Sequence, residues 1–148
     1  MDNGPRTKDQ KMRNFKKIEA WLLASDLAVA IYGQTGKFPK EERYGLISQV
    51  RRSAISVLAN IAEGAGRQHK KDYLNFLYIA RGSLSETESL LEISARLHYL
   101  GEPHLKQLIE FCHKTAKCLY GLIRAVESEV HGPLSMVLGP NNKGGINA

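Results

Sequence analysis

Apolar residues recur along this chain every three to four positions over long stretches, the spacing of amphipathic helices, and no stretch alternates apolar with polar convincingly enough to be a strand. Four helices are expected. The first covers about residues 17–34, with Ile18, Trp21, Leu22, Ala28, Ile31 and Tyr32 on its buried stripe and Gly33 and Gly36 at its end. Pro39 suits the first turn of the second helix, where a missing N–H is harmless. Glu41 and Glu42 there suit the helix dipole, and Phe38 is placed to pack back onto the turn. Gly64 and Gly66 permit the tight or left-handed geometry that ends this helix near residue 65. The third helix starts near residue 70 and carries the strongest repeat. Tyr73, Leu77, Ala80, Leu84, Thr87, Leu91 and Ser94 alternate by four and three, while Phe76, Ser83, Leu90 and Leu97 recur every seven. Its roughly 30 residues would span about 45 Å. Gly101 and Pro103 break it, and the fourth helix presents Leu105, Leu108, Ile109, Cys112, Ala116, Leu119, Ile123 and Val126. Short connections make successive helices antiparallel, so the predicted fold is all-α, an up-down-up-down four-helix bundle.

The second helix departs from ordinary amphipathicity. At about 100° per residue, Gln49, Arg52, Ser53, Ser56, Asn60, Glu63 and Arg67 share an arc of roughly 100°, and Val50, Ala54, Val57, Ile61 and Ala65 occupy the arc beside it. A mixed polar seam thus runs next to the core stripe, where another helix or subunit should cover it. A buried Glu63 would require an arginine, with Arg52 or Arg67 of a neighbouring helix or subunit as candidates. Asn60 could satisfy backbone groups at a helix crossing. On the third helix, Gly82 and Ser83 would allow close approach, with Glu86 one turn on, so this patch is expected to face the seam.

The chain has 148 residues, enough for one domain with its own core, and its 43% hydrophobic and 24% charged content is that of a globular protein. Charges interrupt every apolar stretch before the roughly 20 residues of a membrane span, and the N-terminus lacks the apolar segment of a secretory signal. No membrane association and a cytoplasmic location are the expectation. The charge is +6, of which the first 17 residues carry +4 through Arg6, Lys8, Lys11, Arg13, Lys16 and Lys17 against Asp2 and Asp9. Residues 1–16 read as a basic flexible arm, 17–130 as the bundle, and 131–148, rich in Gly, Pro and Asn, as a disordered tail. Arg13, Lys16, Lys17, Arg51, Lys70, Lys71 and Arg81 are the candidate contacts to RNA or another nucleic acid.

Catalytic readings fare poorly. His69, His98, His104, His113 and His131 are scattered and form no repeated Glu-x-x-His pair, so no metal and no cofactor are expected. No histidine is spaced to activate Ser53, Ser56, Ser83 or Cys112. Gly64-Ala65-Gly66 follows a helix and lacks the Lys-Ser/Thr ending of a nucleotide loop, although Arg67, Lys70 and Lys71 leave an anion site open there. Cys112 and Cys118 point about 120° apart on one helix, too divergent for a bridge, and read as buried thiols.

Phe38-Pro39-Lys40-Glu41-Glu42, Tyr44-Gly45-Leu46, Gln49-Val50-Arg51-Arg52, Ser56, Asn60-Ile61-Ala62-Glu63-Gly64, Arg67 and Ala80-Arg81-Gly82-Ser83-Leu84-Ser85-Glu86 together resemble the signature of the four-helix bundle protein family. This family is also called the 23S rRNA intervening sequence protein family, because members are encoded inside insertions in bacterial 23S rRNA genes. The resemblance covers about residues 15–128. It implies a small bacterial cytoplasmic bundle whose relatives assemble as homopentamers, with no enzymatic activity attached. It also implies kinship with the accessory variability determinant proteins of diversity-generating retroelements, which bind nucleic acid and a reverse transcriptase. The expected function is a non-enzymatic homo-oligomeric bundle that engages RNA or a ribonucleoprotein through basic residues. The alternative is an assembly scaffold or protein-partner adaptor, in which Gln49, Arg52, Ser56, Asn60, Glu63, Arg67, Ser83 and Glu86 form the polar network or interface.

Overall fold

A computed structural model describes residues 13–132. Four helices account for most of them: α1 Glu19–Thr35, α2 Leu46–Ala65, α3 Lys70–Arg96 and α4 Glu102–His131. No strand occurs among the described residues. Each helix packs on two others, α1 on α2 and α4, and α3 on α2 and α4, which closes a four-cornered bundle. Cross-helix pairs fix the directions. Ser53 meets Thr87 while Ser56 meets Ser83, so α2 and α3 are antiparallel, and Glu88–His113 with Tyr78–Glu127 shows the same of α3 and α4.

The core follows the apolar periodicity. Leu27, Ile31, Val50, Val57, Ile61, Leu77, Leu91, Leu119 and Ile123 are all sealed from solvent. The whole heptad set of α3, Tyr73 through Ser94, is buried as expected, and that helix has 27 residues, about 40 Å. Burial of an average large apolar side chain stabilises by about 1.5–3 kcal/mol, so this shared interior holds the four helices together.

Several local expectations are corrected. Pro39 does not begin α2. It precedes a short 3-10 turn, Lys40–Glu42, and α2 starts four residues later at Leu46, where the Glu42 carboxylate accepts the Leu46 N–H at 2.9 Å. Phe38 is buried, and its ring lies 5.7 Å from Tyr99, so it ties the α1–α2 connection to the α3–α4 connection. The α1 stripe is rotated from the expected one: Ala20, Ala24, Leu27, Ala28 and Ile31 are buried, whereas Leu22 and Tyr32 are 45% and 43% exposed. Small alanines let α1 sit close to its neighbours, which leaves the larger side chains at the flanks. On α4, Thr115 is buried in place of Ala116, its hydroxyl donating to the Phe111 carbonyl at 2.9 Å.

Gly36 and Gly66 cap α1 and α2 as expected, whereas Gly64 and Gly82 act differently from their expected roles. No left-handed residue ends α2; Gly66 is right-handed, with φ of −80°. Gly64 is instead a packing position, since a Cβ there would lie 2.8 Å from Phe76 Cβ and 2.9 Å from Tyr73 Cδ1. Gly82, expected to bring helices together, has nothing within 4 Å of an added Cβ. The left-handed residue at the end of α3 is His98, with φ of 63°, and Tyr99 N–H there donates to the Ser94 carbonyl at 2.9 Å. Pro103 falls in the first turn of α4 rather than terminating α3.

Candidate functional site

The polar seam of α2 does meet α3, but only its short side chains do so. Ser53 and Thr87 are buried with their hydroxyls 2.9 Å apart, and each also reaches a carbonyl of its own helix, Val50 O at 2.9 Å and Ser83 O at 2.8 Å. One turn on, the Ser56 and Ser83 hydroxyls lie 2.8 Å apart. Asn60 Nδ2 donates to the Ser56 carbonyl at 2.8 Å and to Ser56 Oγ at 3.0 Å. Asn60 is therefore half-buried and bonded within its own helix, not across a crossing. Each such bond is worth about 1 kcal/mol net, so the ladder sets the register of α2 against α3 more than it drives folding.

The expected burial of Glu63 is not found. Its side chain is 56% exposed and pairs with Arg67 of the same helix at 2.8 Å, an i,i+4 pair in solvent. Arg67 also stacks over Phe76, 4.8 Å from the ring centre. Gln49, Arg52 and Glu86 are exposed, so of the anticipated network Glu63 meets Arg67 within α2, Asn60 meets Ser56 within α2, and only Ser56 and Ser83 meet across the helices. Ser53 and Thr87 complete it.

Two of the candidate nucleic-acid arginines hold helix ends. Arg13 Nη1 donates to the Arg67 carbonyl at 3.0 Å and lies 3.5 Å from the Ala65 carbonyl, with the guanidinium 4.5 Å above the Tyr73 ring. Arg51 Nε donates to Thr35 Oγ1 at 2.9 Å and Nη2 to the Tyr32 carbonyl at 3.2 Å, while the guanidinium stacks 4.4 Å from the Tyr32 ring. Both place a cation on the negative end of a helix dipole, Arg13 on α2 and Arg51 on α1. Lys16, Lys17, Lys70 and Lys71 are exposed at the end where α1 and α3 begin, and Lys70 Nζ lies 3.8 Å from the Glu129 carboxylate. Arg81 stands apart, exposed on α3 and stacked 5.0 Å from the Tyr78 ring. The candidate cations thus occupy opposite ends of the bundle and do not form one surface. Of the expected basic arm, residues 1–12 lie outside the described residues. Residues 15–17 form a 3-10 turn in which Phe15 packs edge-on to Trp21 at 5.0 Å. The expected tail, beyond residue 132, also lies outside them.

Burial raises the titrating groups that face inward. The Cys112 thiol is pushed up to about 12 by desolvation and by the nearby Glu88 charge, and half-buried Cys118 is raised for the same first reason, then by Glu19. Both are free thiols. Tyr73 is raised by desolvation, against the Arg13 charge, and Tyr78 by desolvation and its hydrogen bond to Glu127. A thiol held neutral is a poor nucleophile, so Cys112 is a packing residue.

One feature was not singled out from the sequence. Between the end of α1 and the start of α2 lies a cavity of about 530 Å³ whose walls include Lys40, Arg43, Tyr44 and Arg51. The signal was present in Lys40-Glu41-Glu42-Arg43-Tyr44, but placing those residues in a helix hid that they line a concave turn.

The family model for 23S rRNA-intervening sequence protein matches residues 16–121. The chain belongs to that family. A crystal structure of a protein of unknown function from the S23 ribosomal protein family of Bacteroides thetaiotaomicron is similar, with 26% identity and a TM-score of 0.63. The match covers 70% of this chain and 97% of that one. No curated protein matches. Neither comparison attaches a catalytic activity to the family.

Proposed function

We propose that this family member is a non-enzymatic, self-associating bundle, with the outer face of α2 and α3 as the contact between copies. The observation that supports this is the apolar character of that face. Ile79 and Ile93 on α3 are 52% and 42% exposed, and Leu97, just past its end, is 47% exposed. Ile79 and Ile93 are two heptads apart and so share a side of the helix, with the bare backbone of Gly82 between them. Scattered exposed apolar residues are ordinary, but a row of them beside the part-buried polar ladder is what a subunit contact would cover. Light scattering across a concentration series tests it, on wild type and on the Ile79→Glu, Ile93→Glu double variant. Assembly in wild type and a folded monomer in the variant are expected; equal masses for both would refute the reading.

A second reading has its own observation. Lys16, Lys17, Lys70 and Lys71 are exposed at one end of the bundle, the end from which the basic arm leaves. Such an end suits an RNA backbone, and binding there would weaken with a log-log salt slope of about 0.7–0.9 per phosphate contact. Filter binding of 23S rRNA fragments at two salt concentrations checks this. Substituting the four lysines by glutamine should weaken binding and flatten the slope, whereas unchanged binding, or none in wild type at low salt, would exclude this surface.

A further inference from the structure

The cavity at the other end of the bundle is built differently from both of these surfaces. Its polar walls are cationic, from Lys40, Arg43 and Arg51, and its floor is apolar, from Phe38 and Ile47. No carboxylate lines it. Of the two acids in this turn, Glu42 is directed to the α2 N-terminus, where it accepts the Leu46 N–H, and exposed Glu41 neither lines the cavity nor forms an ion pair among the described residues. Among the described residues none of the three cations is in an ion pair. Arg51 is held in place by Thr35 Oγ1 and the Tyr32 carbonyl, which engage two of the five guanidinium donors and leave the others for a ligand.

Tyr44 gives the ligand its second half. A tyrosine ring normally covers apolar surface, yet this one is 90% exposed at the rim of the cavity. An unburied aromatic face beside unpaired cations is the combination that holds a base by stacking and its phosphate by charge. The volume also fits, since small-molecule sites occupy roughly 300–1,000 Å³. We infer that the α1–α2 turn is a nucleotide-binding site, with the phosphate on Lys40, Arg43 and Arg51 and the base against Tyr44. The site lies away from both the α2/α3 outer face and the lysines at the opposite end, so it stands whether or not the bundle self-associates or binds RNA there.

Two sources share this chemistry, a free nucleotide and the terminal nucleotide of an RNA strand. Calorimetric titration of the full chain with GMP, AMP, guanosine, inorganic phosphate and a 5′-phosphorylated tetraribonucleotide separates them. At least one nucleotide should bind more tightly than guanosine or phosphate. Tyr44→Ala should weaken it about tenfold through lost stacking. Lys40→Gln with Arg43→Gln should weaken it further and reduce the salt dependence, whereas glutamine at Lys16 and Lys17 should change nothing. Tighter binding of the tetranucleotide would assign the site to an RNA end, and binding of the mononucleotide alone would assign it to free nucleotide. No saturable binding of any nucleotide at low salt overturns the inference, as does phosphate binding as well as GMP with Tyr44→Ala unchanged. Tyr44, Lys40 and Arg43 are exposed or at the rim, so these variants should fold as wild type does.

Discussion

Gly64→Ala should destabilise the bundle although it replaces the second-worst helix former by the best. The added Cβ would stand 2.8 Å from Phe76 Cβ, 2.9 Å from Tyr73 Cδ1 and 3.2 Å from the Tyr73 carbonyl oxygen. Carbon atoms pack favourably at about 3.5–4.0 Å, so the shortfall is near 1 Å. Phe76 Cβ is bound to the α3 backbone and cannot swing aside, so α2 and α3 must part. Overpacking of this kind costs about 1–3 kcal/mol, and the gain in helix propensity returns about 1 kcal/mol. A net loss of up to about 2 kcal/mol follows. Gly121→Ala supplies the control, because nothing lies within 4 Å of its added Cβ. There the propensity gain stands alone, and the variant should gain about 0.5–1 kcal/mol. Urea denaturation at one protomer concentration reads both, since stability changes appear as shifts in midpoint at constant slope. A Gly64→Ala midpoint above wild type would refute the close approach of α2 to α3, as would a gain matching that of Gly121→Ala.

Arg51→Lys should cost about 1–2 kcal/mol in the same assay, because an ammonium cannot reproduce the two guanidinium bonds and the stack on Tyr32 together; a midpoint equal to wild type would show that α1 needs no cap there. Glu63→Ala should cost no more than about 0.5 kcal/mol, the worth of an exposed i,i+4 pair, and a loss several times larger would indicate that Glu63 is covered in an assembly. Cys112 should make stability fall in alkali. Its folded thiol titrates at about 12 and the unfolded thiol near its ordinary value of 9, so the unfolded chain loses its proton first. The contribution is whole below about pH 9 and is lost as pH rises toward 12, at up to about 1.4 kcal/mol per unit. Cys112→Ala should flatten that decline between about pH 9 and pH 10.5, and parallel pH profiles of variant and wild type would contradict the burial.

The fold was legible because it rests on long periodic stretches, which average over local errors. Every member of the Tyr73–Ser94 heptad is buried, and helix boundaries fall within a few residues of those expected except at the start of α2. That exception has a local cause. Pro39, Glu41 and Glu42 suit the first turn of any helix, and a 3-10 turn has the same requirements as an α-helical one, so composition alone could not tell them apart. Two glycines differ from expectation for a related reason. Gly64 and Gly82 are identical as letters, and only the position of α3 decides that one needs to lack a Cβ and the other does not. His98 could not have been foreseen as the left-handed residue, since its conformation is sustained by the Tyr99–Ser94 bond and the Phe38–Tyr99 contact.

Within one chain α3 covers only part of the polar seam, and side-chain length accounts for which part. An arc beside the core stripe lies at the edge of a helix–helix groove, where axes about 8–10 Å apart leave room for a hydroxyl but not for a carboxylate and its partner. Gly64 narrows that groove further at one end. Along a single seam, Ser53 is therefore buried against Thr87, Ser56 and Asn60 are half-buried, and Arg52, Glu63 and Arg67 extend into solvent, each longer side chain placed farther out. A helical wheel records the angle of a residue but not the reach of its side chain. The same geometry sets what the outer face can offer a second copy. Its centre is already filled by hydroxyls bonded to each other, so any specificity in a contact there falls to the long residues at the margin, Arg52, Glu63 and Glu86, flanking Ile79 and Ile93.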